Sequence, residues 1–246
     1  MSYAQNPYRN PLGDFASMAA ADERSSFITK TYLHLAGAIA VFAGLSAIML
    51  TAPVGHPIAQ SIVELLGASR FGWLIMLGAF MVVSMVASSW ARSAVSPATQ
   101  YAGLGLYVVA ESFIFAPLLY IANSIDPSGS VIQSAAITTL VLFGGLTLAV
   151  FVTRKDFSFM RTFLVFGSFA AFGFIFLGIF FPTHFHLGAV FLYAMVALAC
   201  GYILYDTSNV LHHYRVGQHV AASLALFASV ALLFWYVIQI FLSRRN

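Results

Sequence analysis

The chain has 246 residues, 61% of them hydrophobic and only 8% charged, with a formal charge of +3. A water-soluble domain carries roughly 25% charged residues, so this chain has too few to cover a solvated surface. Its positive balance rests on a handful of side chains and does not indicate a nucleic-acid partner. The single cysteine, Cys200, excludes an intramolecular disulfide and a metal cluster built on thiolates.

In chain order, residues 1–30 are polar and contain Pro7, Pro11, Asp14, Asp22, Glu23 and Arg24. They lack the charged-then-apolar order of a cleavable signal peptide and read as a mobile cytoplasmic tail leading into the first span. Seven apolar runs follow, at residues 31–52, 71–90, 101–122, 131–152, 160–181, 187–210 and 220–242. Each is near the ~20 residues that cross a bilayer as a helix. The runs are continuous rather than alternating, which indicates helices and not barrel strands. Pro53, Pro57, Pro97, Pro127 with Gly129, and Pro182 separate most of them. Residues 60–70 form a longer connection, read as a short amphipathic piece with Glu64 outward. The expected fold is all-α, a seven-helix transmembrane bundle over residues 31–246.

Basic residues set the orientation. Arg9, Arg24, Lys30, Arg92, Arg154, Lys155, Arg161 and Arg215 fall on one side, and Arg70, Arg244 and Arg245 on the other. The positive-inside rule then puts the N-terminus in the cytoplasm and the C-terminus outside. The terminal arginine pair pulls the other way, and a re-entrant last helix would leave both ends cytoplasmic. Ala36, Ala40 and Gly44, the glycines Gly103, Gly144, Gly145 and Gly201, and Ala222, Ala225 and Ser229 are small residues at which helix backbones can approach in lipid.

Two acids fall within spans, Glu111 and Asp206. An ionisable group at the bilayer centre costs at least ~2.5–3.5 kcal/mol and faces the bundle interior. Glu111 lies six residues before Pro117, which removes a backbone hydrogen bond and can kink the helix near Phe113. It is a candidate pathway residue, or a protonated acid bonded to a carbonyl or hydroxyl. Asp206 shares a face with Asn209 and His213, so these three form either a water-filled vestibule or a helix end emerging into headgroups.

His212, His213 and His219 cluster at one connection, and His184 and His186 lie across the membrane. Neither set has a zinc-ligand spacing or a nearby cysteine, and they read as interfacial loop histidines. His34 reads as a satisfied interior histidine. No lysine follows Lys155, which excludes a retinal Schiff base on the last helix. Neither a G-x-S-x-G elbow nor an H-E-x-x-H motif is present. An intramembrane protease needs paired groups at matched depth; a Glu111–Asp206 dyad is not excluded, but the depths read from the sequence differ, and a membrane enzyme ranks third. No enzyme and no bound cofactor or metal is expected.

Four stretches carry a resemblance: "ILYDTSNV" around Asp206, "TRKDFSFMRTF" from Thr153, "SLALFASVALLFWYVIQIF" from Ser223, and "FITKTYLHLAGAI" from Phe27. In their order and spacing the chain resembles the Bax inhibitor-1 family, the transmembrane Bax inhibitor motif proteins, over residues 27–242. The resemblance implies a seven-helix bundle with the last helix central, of the bacterial inner-membrane type. It also implies a proton-sensitive calcium leak in which aspartates on the sixth and seventh helices share a proton. An arginine at the end of the second helix competes for one of them. Asp206 matches the first aspartate and Arg92 the arginine, while Ser229 stands where the second aspartate would be. Two close carboxylates resist joint ionisation; a hydroxyl partner weakens that switch. Calcium prefers six to eight oxygen ligands, which one aspartate, Ser229 and Asn209 supply poorly. Calcium, or another cation, therefore enters as a transported ion. The alternative is a non-conducting regulator that acts through membrane-protein partners in stress or membrane proteolysis, with the tail as docking site.

Overall fold

Asp22 and Glu23 sit in the first turn of the first helix, where acidic side chains complement the helix dipole. That helix, α1, runs over Ala21–Thr51, so the chain becomes helical at Ala21 and not at Thr31 as expected. The computed structural model describes residues 12–69, 71–94, 96–181 and 188–245. The expectations placed on Pro7, Arg9, Pro11, Arg70, Pro182, His184 and His186 lie outside the described residues.

After α1 come α2 (Gly55–Gly67), α3 (Gly72–Ala91), α4 (Pro97–Ile125), α5 (Ser130–Thr153), α6 (Met160–Phe180), α7 (Ala189–His212) and α8 (His219–Ser243). Seven of these eight described helices are long and apolar enough to cross a membrane; α2 is the exception. It occupies the connection expected to hold a short amphipathic piece. Pro97, expected to break the chain, instead opens α4: it stands at the first helical position, where its missing N–H costs nothing. The Ser96 hydroxyl accepts from Thr99 N at 3.3 Å. The helix continues through Pro117, which is buried.

The last helix is the centre of the bundle. α8 packs against α1, α3, α4, α5 and α7. Of the most apolar stretch of each helix, 61% of α4 and 56% of α8 is buried, against 11% for α3 and α6. α4 and α8 are thus the core, and α3 and α6 turn most of their apolar surface outward, as lipid-facing helices do. The core is aromatic: Phe42, Phe115 and Phe227 meet at ring centroid distances of 5.0–5.9 Å, and Phe115 stacks on Phe234 at 5.6 Å. Ser223 of α8 donates to the Thr31 carbonyl of α1 at 2.8 Å.

Close backbone approach is confined to some of the expected small residues. A Cβ on Gly103 would lie 2.5 Å from the Ala87 carbonyl oxygen and 2.6 Å from Ala91 N, so α3 and α4 touch there backbone to backbone. Gly201 faces Leu164, and Ala222 is fully buried. Gly144 and Gly145 have no neighbour within 4 Å of such an added atom. Ala36, Ala40 and Gly44 are exposed and mediate no helix contact. Small residues are simply common in lipid-facing positions.

The segment before α1 is held by the α7–α8 connection rather than loose, from Leu12 onward. Ala16 N donates to the Tyr214 carbonyl at 2.8 Å, Val216 N to Asp14 O at 3.0 Å and Gly217 N to Leu12 O at 2.9 Å. The Arg215 guanidinium lies 4.3 Å above the Phe15 ring and donates to Gly13 O at 2.9 Å. At the opposite end of the bundle, Asp126 receives the Ser128 and Ser130 hydroxyls at 2.5 and 2.7 Å, Val131 N at 2.8 Å, and Arg245 Nη1 at 2.8 Å. The end of α8 therefore meets the α4–α5 connection, so α8 traverses the bundle and the re-entrant arrangement does not occur.

Candidate functional site

Side chains four residues apart lie on one helix face, and three helices use that spacing to aim polar groups inward. α3 contributes Ser84 and Ser88, with Arg92 at its C-cap, α4 contributes Tyr107 and Glu111, and α7 contributes Tyr202 and Asp206. With Ser229 of α8 they line a cavity of about 850 Å³. Its remaining wall is mostly apolar, including Trp73, Phe80, Phe115 and Trp235. By their places along the helices, these polar groups lie in the half nearer the tail end, and Trp73, Leu118, Phe191 and Trp235 lie in the far half together with Tyr236 and Gln239.

The Ser229 hydroxyl donates to Asp206 Oδ2 at 2.5 Å, and both residues are buried. Arg92 is within electrostatic reach of Asp206, and among the described residues no hydrogen bond or ion pair joins the two. Tyr214, in the connection over this end, senses both. Burial, and then the Asp206 carboxylate, push its hydroxyl well above the usual tyrosine range, and Arg92 opposes them. Ser168 of α6 and Tyr202 share a hydrogen bond at 2.8 Å on the same wall.

Glu111 is only 6% exposed and its Oε2 has no hydrogen-bond partner. Among the described residues no carbonyl or hydroxyl makes the contact with Oε2 expected of a satisfied acid. Glu111 and Asp206, expected at different depths, nevertheless line one cavity.

Asn209 and His213 do not extend it. α7 ends at His212, His213 is its C-cap, and neither Asn209 nor His213 lines the cavity. His213 Nε2 instead pairs with Asp156 Oδ2 at 3.0 Å, with both side chains about half exposed. The Asn209 carbonyl takes the amides of His213 and Tyr214. The expected Asp206–Asn209–His213 vestibule is thus a helix end. Partial burial raises the Asp156 carboxyl, but the Ser158 amide and hydroxyl and then His213 outweigh it and hold it below the ordinary carboxylate range. His34 stacks on Tyr101 at 5.4 Å and bonds the Lys30 carbonyl at 2.6 Å, away from the cavity. No three His, Cys, Asp or Glu side chains come together among the described residues.

Sequence reasoning missed Ser84, Ser88, Tyr107, Ser168 and Tyr202. The fourfold spacing of Ser84, Ser88 and Arg92 on an otherwise apolar helix was the available signal. Ser168 and Tyr202 carry no such mark, since lone hydroxyls are frequent in membrane helices.

A family model described as "Inhibitor of apoptosis-promoting Bax1" matches residues 24–246. An uncharacterized protein of Pseudomonas aeruginosa is 29% identical over 162 residues, 66% of this chain and 68% of its own length. Protein LIFEGUARD 4 of Arabidopsis thaliana is 33% identical over 148 residues, 57% of this chain and 56% of its own. Bax inhibitor 1 of Schizosaccharomyces pombe is 31% identical over 113 residues, 46% and 42%. The chain thus spans about half the length of the plant and yeast relatives. No solved structure matches it. Because the match runs from residue 24 to the C-terminus across all seven candidate spans, the chain belongs to the family of inhibitors of apoptosis-promoting Bax1 and is an integral membrane protein.

Proposed function

We propose that the protein is a pH-modulated cation leak, with Asp206 as its proton-sensing group, Ser229 as the partner that holds it, and Arg92 as the competing cation. The carrying observation is the Ser229–Asp206 hydrogen bond inside a cavity that also holds Arg92 and Glu111. Glu111 extends the polar lining toward mid-membrane and is the pathway residue in this reading. Calcium is the ion that the family resemblance implies. The protein acts without a cofactor and without catalysis. It is placed in a bacterial inner membrane with the N-terminus cytoplasmic, supported by Lys30, Arg92, Arg154, Lys155, Arg161 and Arg215 at one end.

The test is calcium flux from proteoliposomes across a pH series. Wild type should exceed empty vesicles and respond to pH, and Asp206→Asn should lose the response. If wild type and Asp206→Asn both match empty vesicles, the leak reading fails. The regulator reading then takes its place, favoured by the lone carboxylate at the α7–α8 contact, where the site holds Ser229 instead of a second acid. Partners would then be other membrane proteins.

A further inference from the structure

Asp206 is answered by Ser229 and has Arg92 within electrostatic reach, whereas Glu111 has neither. Among the described residues no hydrogen bond or ion pair joins Glu111 to a cation, and its Oε2 is buried without a partner. The Ser84 hydroxyl of α3 is also buried with no hydrogen-bond partner among the described residues and also lines the cavity. Unsatisfied buried polar atoms are costly, and two of them lining one cavity mark a place where a polar group of a ligand is missing. The unanswered group is an acid, so charge complementarity calls for a cation-forming head.

The rest of the cavity says what should be attached to that head. From Glu111 toward the far end the wall is mostly apolar, with Trp73, Leu118, Ile179 and Trp235, and Tyr236 and Gln239 of α8 add polar groups there. The volume of about 850 Å³ is in the range of cavities that enclose small organic ligands. The route in is lateral. α3 and α6 both line the cavity, yet they share no packed seam, because α6 leans on α7. Among the described residues the Phe71 and Phe180 rings meet, 5.7 Å apart at the far end, and the gap between the two helices is where an alkyl chain from the bilayer would enter.

We infer that the cavity binds a single-chain amphiphile with a primary amine head, the amine on Glu111 and Ser84 and the alkyl chain against Trp73 and Trp235. With the proton on nitrogen the amine–carboxyl contact is a charge-assisted hydrogen bond, and with it on oxygen the carboxylic acid donates to a neutral amine. An anionic head is disfavoured, since Arg92 already lies beside Asp206.

Trp73 and Trp235 meet at 6.2 Å on the cavity wall and report occupancy directly. The third tryptophan, Trp90, does not line the cavity and is replaced by phenylalanine for the test. The full chain in phosphatidylcholine nanodiscs is titrated with octadecylamine carrying a mid-chain nitroxide, and tryptophan quenching is recorded. The octadecanol and octadecanoic acid analogues are titrated alongside. Saturable quenching by the amine at about tenfold lower mole fraction than by the alcohol is expected, the margin of one charged hydrogen bond. Glu111→Gln should remove that difference. Equal quenching by amine and alcohol, preference for the acid, or an unchanged preference in Glu111→Gln overturns the proposal. If Glu111→Gln does not fold, the head-group series on the otherwise unaltered chain decides alone. The readout is occupancy and not conduction, so a failed leak leaves this inference standing and the reverse holds too.

Discussion

Arg245, two residues past the end of α8, places Nη1 2.8 Å from Asp126 Oδ1, on the carboxylate that also receives the Ser130 hydroxyl and the Val131 amide of α5. One acid thus caps α5, whose own N-cap residue, Gly129, supplies no side-chain bond, and ties it to the central helix.

The first prediction concerns this latch. The Ser128 hydroxyl, Arg245, the Ser130 hydroxyl and the Val131 amide, in that order, hold the Asp126 carboxyl below the ordinary carboxylate range. A depressed folded-state value means stability that is fully present above the unfolded value, about 3.9, and lost as pH falls toward the folded one. Asp126→Asn should therefore unfold more readily than wild type in detergent from pH 8 down to about 5, by a constant margin. The margin should shrink below about pH 4. A margin that grows on acidification would show that the carboxylate is not stabilised by these partners.

The second prediction separates two glycines that look alike in sequence. Gly103→Ala drives a methyl into the α3 backbone, 2.5 Å from the Ala87 oxygen, and should cost about 1–3 kcal/mol through forced helix separation. Gly144→Ala meets nothing within 4 Å and should be neutral or gain up to about 1 kcal/mol in helix propensity. Denaturant midpoints of the two variants in one detergent give the comparison. Equal midpoints would show that α3 and α4 are not in backbone contact.

The third prediction ranks two polar contacts at the α5–α6 connection. Ser208 is fully buried and accepts the Phe157 amide at 2.8 Å. Ser208→Ala leaves that donor unpaired and should cost about 1–3 kcal/mol. His213→Ala breaks a half-exposed pair with Asp156 and should cost less than about 1 kcal/mol. The reverse order in thermal unfolding would mean that the charge pair, and not the serine, anchors the loop.

Much of this architecture was legible in the sequence, because membrane spans are long apolar runs and their apolarity needs no partner to be read. What escaped was whatever depends on partners distant in the chain. The first turns of α1 look like tail because Asp22, Glu23 and Arg24 are polar, yet acids are what a helix start favours. Asp126 and Arg245 lie far apart in sequence and meet only when α8 crosses the bundle. Asp206 stands out as an acid within a span and Ser229 through the family resemblance, and the geometry brings them into contact. The extension to Asn209 and His213 failed because helical periodicity was carried one residue past the end of α7. Ala36, Ala40 and Gly44 failed for another reason: a stripe of small residues in lipid is the same on a packed face and on a bare one.

The last prediction tests the carboxylate–hydroxyl pair by adding the missing acid. With Ser229 Oγ 2.5 Å from Asp206 Oδ2, Ser229→Asp puts two carboxyl groups in hydrogen-bond range in a buried site. Such a pair cannot ionise together easily and loses its protons in two macroscopic steps. In the proposed leak, wild type should show one transition of calcium flux with pH, Asp206→Asn none, and Ser229→Asp a broader profile resolved into two. Ser229→Ala keeps the carboxylate and removes its donor, so its profile should stay single while its midpoint moves. The double variant Asp206→Asn with Ser229→Asp separates position from number. If one acid at either helix suffices for sensing, it should recover a single transition. If flux in Ser229→Asp follows the wild-type curve, the α7–α8 contact does not set the pH response, and sensing must be sought at Glu111, the other buried acid of the cavity.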